Sequence, residues 1–398
     1  MVKKASRCLA IFITLLSLTV SLFSKQSSTD KSPLAPDASG KNQAQKQSEK
    51  QTAPAAFTYQ SETADRDIAA IYAPDFYQAY AEKRFDYLTN FDFDGDWRGD
   101  NNWANAGKAE FAMKAFIYFA VSETATHYFI HYAVFHPRDY KGGERRGMIL
   151  SEMIREGAKI GTQYDPTGKL DEAVLAHEND MEGCLVVVEK NLNKPKKSRV
   201  AYVETLAHNK FLKYAPDTKN LKGVQTIQFE GKRPRLFIEA KGHGMAAYTG
   251  KEKEVVEKKY LLYSFTGESE NPEEKNSPAV GYDLLPLYST LWSRAQNTPN
   301  ETFGEAQEYQ GVKLVKSLNE TKADEKSVEL NKLGSAFSGK VGAENMARPP
   351  WGWFDSSERE RPLGEWFFNP AETIKRHFKQ DEKFALTYTH NPFSGVFR

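Results

Sequence analysis

Cysteine is nearly missing from this chain: Cys8 and Cys184 are the two present among 398 residues. Cys8 falls in an N-terminal segment that reads as a removable signal. No intramolecular disulfide is then available, and the fold must hold by its own core, with Cys184 as a buried thiol. An excess of one charge is missing too. The 54 basic and 53 acidic residues nearly cancel, which argues against a nucleic-acid partner, because such partners select strongly basic surfaces. Long apolar runs are missing beyond the N-terminus, so no later segment is long and apolar enough to span a bilayer. Nucleophile elbow, phosphate loop and dinucleotide fingerprint are all absent, which removes several large enzyme classes.

What is present begins with Met-Val-Lys-Lys-Ala-Ser-Arg and an apolar run over residues 8–23. That is the pattern of a secretory signal, assigned to residues 1–24, with an uncleaved anchor as the alternative. It implies a secreted or cell-envelope protein, in the periplasm or on the outer surface. Residues 25–56 are Lys, Gln, Ser, Ala, Pro and Asp with little to bury, and read as a disordered linker. The 25 Phe and 19 Tyr suit strands. The expected fold is mainly β: an antiparallel β-sandwich with helical and loop insertions, carrying a metal site, over residues 57–295. Residues 296–398 are expected as a C-terminal extension packed on it, with a polar insertion over 296–347. Residues 67–90 read as an entry segment across a sheet, 114–135 as a β-hairpin and 254–265 as an edge strand. Residues 141–175 read as an insertion with a helical stretch near 145–155.

Three groups of residues carry candidate chemistry. The first is His177, Asp180 and Glu182, directly before the apolar run 184–188, which reads as a buried strand. Asp180 and Glu182 share a face if that strand already runs there. Two such carboxylates repel unless a cation or a proton lies between them. The alternative is ion pairing with Arg138 or lysines while His177 caps a turn. The second group is Asp92, Asp94, Asp96 and Asp100 around Gly95, which form a calcium-loop pattern, with an Asx-rich turn as the alternative. The third is a set of candidate ligand contacts. His208 and His243 each fall just past a strand, and the glycines around His243 suggest an exposed ring. Trp351 and Trp353 offer either a sugar-stacking platform or core packing. His127 and His131, four apart on one strand, read as structural. His136 and Asp139 fall at a strand end, where functional residues concentrate.

Asp139, followed later by His-x-x-Asp-x-Glu-Gly at 177–183, resembles the core of the necrosis- and ethylene-inducing-peptide-like proteins. Their heptapeptide Gly-His-Arg-His-Asp-Trp-Glu falls on Ala176 to Glu182, and their upstream Tyr-Phe-Pro-Lys-Asp segment on Phe135 to Asp139. The resemblance implies a β-sandwich and a divalent cation surrounded, directly or through water, by Asp139, His177, Asp180 and Glu182. It also implies a target such as the sugar headgroup of a membrane glycolipid. Asn179 replaces the family's second His and Met181 its Trp, and the gap between the two motifs is longer here. Residues 235–248 bear a weaker similarity to the strand and Gly-Ser-His-Ala segment of fungal vacuolar-sorting-associated relatives.

Three carboxylates and one imidazole suit a hard or borderline cation such as Ca²⁺, Mg²⁺ or Mn²⁺. The function expected is an exported, metal-dependent binding protein for a glycan or glycolipid headgroup. A metal-dependent hydrolase, with Glu178, Glu182 or a nearby His as general base, is one alternative. A structural envelope protein with stabilising cations is the other.

Overall fold

The computed structural model describes residues 59–139, 177–208, 210–297, 348–358, 361 and 364–394. The expected signal and linker, the insertion 141–175 and most of the stretch 296–347 lie outside the described residues.

A helix, Tyr59–Tyr72, comes first. Asp65, Ala69 and Tyr72 are its buried positions, four and three apart as one helical face requires. Pro74 follows its end. Thirteen strands are described: β1 Asp75–Ala79, β2 Phe116–Thr124, β3 His127–Asp139, β4 His177–Glu189, β5 Arg199–Leu206, β6 Phe211–Ala215 and β7 Gln225–Thr226 come first; then β8 Phe229–Glu230, β9 Arg233–Ile238, β10 Met245–Ala247, β11 Tyr260–Phe265, β12 Ala279–Pro286 and β13 Tyr388–His390. They form one mixed sheet in the order β10-β9-β1-β11-β12-β2-β3-β4-β5-β6-β7, with β13 on β2 and β8 on β9.

The expected mainly β chain is found, but its strands are not arranged as a strictly antiparallel sandwich. The run β2 to β6 is an antiparallel meander, and β2–β3 is the expected hairpin. The pairs β1–β9, β11–β12, β12–β2 and β6–β7 are parallel. A parallel pair needs a crossover connection, and the 266–278 excursion between β11 and β12 is one. The presumed edge strand β11 instead lies between β1 and β12. The sheet also curls: Thr205 Oγ1 on β5 donates to the carbonyl of Met245 on β10 at 2.6 Å, joining strands far apart in the sheet order.

Strands β3 and β4 are buried along nearly their whole length, so both faces of this part of the sheet are covered. On one face Tyr132 donates its hydroxyl to Ala69 of the first helix at 2.6 Å. On the other, His131 Nε2 lies 3.0 Å from the carbonyl of Trp366. Trp351, Trp353 and Trp366 join the main core, and Trp292 meets Trp351 edge-on at 5.2 Å. The helix Pro370–His377 is tied to β5 through buried Glu204, which accepts from Trp366 Nε1 at 2.8 Å and lies 2.6 Å from His377 Nδ1. Among the described residues no helix is long and apolar enough to cross a membrane.

Candidate metal centre

The centre grows from the register of β3 on β4. His136 faces Asp180, Val134 faces Glu182, and Asp139 faces His177. Cross-strand partners share a face, so Asp180 and Glu182 are two residues apart on the face of His136. One residue breaks the regularity of β4. Asn179 sits in the left-handed region at φ 59°, which asparagine tolerates better than most residues. Its amide is fixed at both ends: Nδ2 donates to the Gly99 carbonyl at 2.7 Å, and Oδ1 accepts from Asn102 at 2.6 Å. Beside it, Glu178 accepts the Trp103 backbone N–H at 2.6 Å. These contacts fasten the 92–105 segment to β4.

His177 Nδ1 lies 3.0 Å from the Asn179 carbonyl. A carbonyl only accepts, so Nδ1 carries the hydrogen and Nε2 of a neutral ring presents its lone pair. Nε2 faces Asp139 Oδ2 at 3.4 Å. Two acceptors held face to face call for a proton or a cation between them.

Asp180 Oδ2 accepts from His243 Nδ1 at 2.9 Å, and His243 Nε2 lies 3.3 Å from Asp86 Oδ1. With a carboxylate at each nitrogen, His243 is an imidazolium. Burial opposes that charge, but the bonds and charges of Asp180 and Asp86 outweigh it and the ring is pushed up to about 9. His136 stacks on it with centroids 3.6 Å apart and planes 2° from parallel. His136 Nε2 is 2.9 Å from Gln78 Oε1, while its Nδ1 is buried without a hydrogen-bond partner. Burial, then the charge of His243, hold His136 neutral, well below the usual histidine range. Ligand atoms of His136, Asp180 and His243 lie within 4.8 Å of one another, so this buried group can hold a metal ion; His243 has to lose a proton first to offer a lone pair.

Glu182 is the least satisfied acid. Its Oε1 accepts the His208 backbone N–H at 3.3 Å, and its Oε2 is buried without a partner. Burial above all, then the charges of Asp180 and Asp139, raise its carboxyl well above the usual range. His208, half-buried at φ 49°, closes the rim with Nε2 3.1 Å from exposed Glu239. Hydrogen bonding to Glu239 raises its ring above the ordinary value. Among the described residues, the orphaned Glu182 oxygen and the excess of acids over cations fit a divalent cation.

Of the proposed quartet, His177 faces Asp139, and the charges of Asp180 and Asp139 both reach Glu182, while the tight grouping shares only Asp180 with it. His208 and His243 both join the cluster. The exposed ring expected for His243 is corrected: it is fully buried, because its glycine-flanked turn carries it inward between Asp86 and Asp180.

The other candidates lie elsewhere. Trp351 and Trp353 are 0% and 2% exposed and offer no platform to a sugar. Trp353 lies against Gly183, where a Cβ would come within 2.8 Å of its ring, and its Nε1 donates to the Met181 carbonyl at 3.1 Å. The carboxylates of the 92–100 loop are engaged locally. Asp92 accepts from Asn90, Asp94 from Asn105 and Asp96 from Asn101, and Asp100 pairs with Arg98. Gly95 makes the turn at φ 89°. These are the bonds of an Asx-rich loop docked beside the centre.

Sequence reasoning missed Asp86, Gln78 and Glu239, whose contacts with the cluster span long chain separations and leave no local pattern. His136 was within reach: pairing the two motifs as antiparallel strands sets it opposite Asp180.

No protein-family model matches the sequence, and no curated protein matches it significantly. Solved structures do show similarity. NLPPya in complex with mannosamine is 14% identical, covering 47% of this chain and 67% of that one, with a TM-score of 0.25. Necrosis and Ethylene inducing Protein 2 from the causal agent of cocoa's Witches Broom disease is 14% identical over 56% of this chain and 73% of that one, at 0.23. A structure described as a toxin fold as basis for microbial attack and plant defense is 12% identical over 63% and 89%, at 0.26. At these identities and TM-scores the likeness says nothing of this chain's chemistry.

Proposed function

We propose that this is an exported, metal-dependent binding protein whose centre recognises a glycan or a glycolipid headgroup. The observation that carries the reading is Glu182: a buried acid with one unpartnered oxygen, beside Asp180 and within the field of Asp139. Asp139, His177, Asp180 and Glu182 are the residues that would hold Ca²⁺, Mg²⁺ or Mn²⁺. The cation would supply charge neutralisation and open positions for paired hydroxyl oxygens. His243 holds Asp180 by one oxygen, as outer partners of metal ligands do. His136 braces His243 by stacking. Asn179 and Glu178 fix the neighbouring loop, which shapes the approach. His208 and Glu239 at the rim are the polar groups nearest solvent, suited to contact sugar hydroxyls. Export rests on the basic start and apolar run of residues 1–23.

The test is elemental analysis of the purified protein, with thermal melts with and without chelator. Bound divalent metal and a chelator-dependent fall in melting temperature are expected, and Asp180→Asn should lower metal content. Mannosamine and glucosamine, the ligands of two structural neighbours, are suitable first probes for calorimetry with and without cation. Metal content and melting that ignore the chelator would sink the reading.

A further inference from the structure

A second concavity opens at the far end of β4. It encloses about 680 Å³ between the end of β4, the start of β5 and the turns after β6 and β8. That size is typical of a small-molecule site. At ~3.3 Å per residue, Glu189 on its wall is about 23 Å along β4 from Glu182, so the two sites are separate.

Its lining is cationic. Lys196, Lys197, Arg199, Lys219 and Lys232 face it against two acids, Glu189 and Asp217. Glu189 pairs with Arg199 at 2.9 Å, and Asp217 accepts the Lys219 backbone N–H at 2.9 Å, so the five cations still exceed the two acids by three. Lys232 is held in place, its Nζ donating to the Lys196 carbonyl at 2.8 Å and lying 5.3 Å from the Tyr72 ring. Among the described residues, the ammonium groups of Lys196, Lys197 and Lys219 have no ion-pair partner. Phe229, Leu221 and Tyr202 supply an apolar wall. In a chain of nearly balanced charge, unpaired cations around one hollow focus a positive potential there.

We propose that this concavity binds a small ligand carrying two or more phosphate or sulfate groups on a ring or apolar scaffold. The lysines take the anionic groups as charge-assisted donors. The aromatic wall takes the scaffold. Such groups occur on free phosphorylated or sulfated sugars and on lipid headgroups. Leu192, 76% exposed on the neighbouring lysine-rich turn, is placed to touch a bilayer if the source is a lipid.

The experiment is calorimetry of the full chain at near-physiological salt with fructose 1,6-bisphosphate, and with fructose as the uncharged control. Millimolar or tighter binding of the bisphosphate alone is expected. The variant Lys197→Glu/Lys219→Glu should weaken it about tenfold or more, whereas Lys114→Glu/Lys251→Glu, with the same charge change elsewhere on the surface, should not. In a parallel arm, phosphatidylcholine vesicles doped with phosphatidylinositol 4-phosphate are sedimented with the protein and with Leu192→Asp. Vesicle binding that needs Leu192 and is competed by the bisphosphate assigns a headgroup; bisphosphate binding without it assigns a soluble ligand. Both support the site. No bisphosphate binding, or equal loss in both charge-reversed variants, overturns it.

Discussion

Replacing His377 by Gln should remove a pH-dependent share of stability that can be sized from the structure. The ring lies between two glutamates: Nδ1 is 2.6 Å from Glu204 Oε1 and Nε2 is 3.1 Å from Glu358 Oε2. Its side chain is 4% exposed and that of Glu204 is 0% exposed, so water screens the pair little. Burial disfavours the charged ring, yet Glu204 and Glu358 prevail and push it from 6.5 up to about 9. At about 1.4 kcal/mol per pH unit, that rise is worth about 3 kcal/mol. The folded form binds the proton more tightly than the unfolded chain does. The contribution is therefore complete below pH 6.5 and fades as pH climbs through 9. Glu358 gives the matching acid limb. Burial opposes its charge, but His377 and Arg376 hold it down at about 2. Its stabilisation is present above pH 4.5 and is lost as pH falls through 2. The two shifts share contacts and count once. Gln keeps a donor but carries no charge, so urea unfolding of His377→Gln should show a deficit of about 3 kcal/mol between pH 4.5 and 6.5 that shrinks to about 1 kcal/mol or less above pH 9. Parallel stability–pH curves for the two proteins between these limits would refute the argument.

Two further substitutions probe the frame of the metal centre. Gly183→Ala puts a methyl 2.5 Å from the Tyr132 carbonyl oxygen and 2.8 Å from Trp353 Cζ3; a loss of about 1–3 kcal/mol in urea unfolding is expected, and an unchanged midpoint would contradict the packing. Asn179→Ala removes the bonds to Asn102 and Gly99 and leaves a Cβ residue at positive φ. It should open the 92–105 segment to hydrogen exchange, whereas Asn179→Gly, which relieves the backbone, should recover part of the stability but not the protection.

The local parts of this fold were readable and the distant ones were not. The hairpin β2–β3 and the buried β4 follow from alternation and apolar content over a few residues. Taking 127–139 and 177–189 as antiparallel neighbours also sets Asp139 opposite His177 and His136 opposite Asp180. The parallel pairs were hidden, since β12 on β2 joins residues near 283 to residues near 116 and neither strand carries a mark of its partner. His243 illustrates the same limit. Flanking glycines announce a special backbone without saying which way it turns; only Asp180 and Asp86, 63 and 157 positions away, make burial of that ring favourable. Trp353 is the reverse case: Gly183, the bare position it needs, lies inside the very motif that drew attention.

The interior place of β1 has a bearing on the order of assembly. This strand, at residues 75–79, is paired by β9 on one side and β11 on the other. A chain emerging from its amino end therefore carries β1 unpaired until β9 has been made, and half-paired until β11 follows. The antiparallel meander β2 to β6 can form early from neighbouring segments, but the second half of the sheet has to wait for closure over more than a third of the chain. Such long-range closure slows folding and lengthens the life of open intermediates. Under the export proposed above, that delay would keep the polypeptide threadable until its last strands arrive.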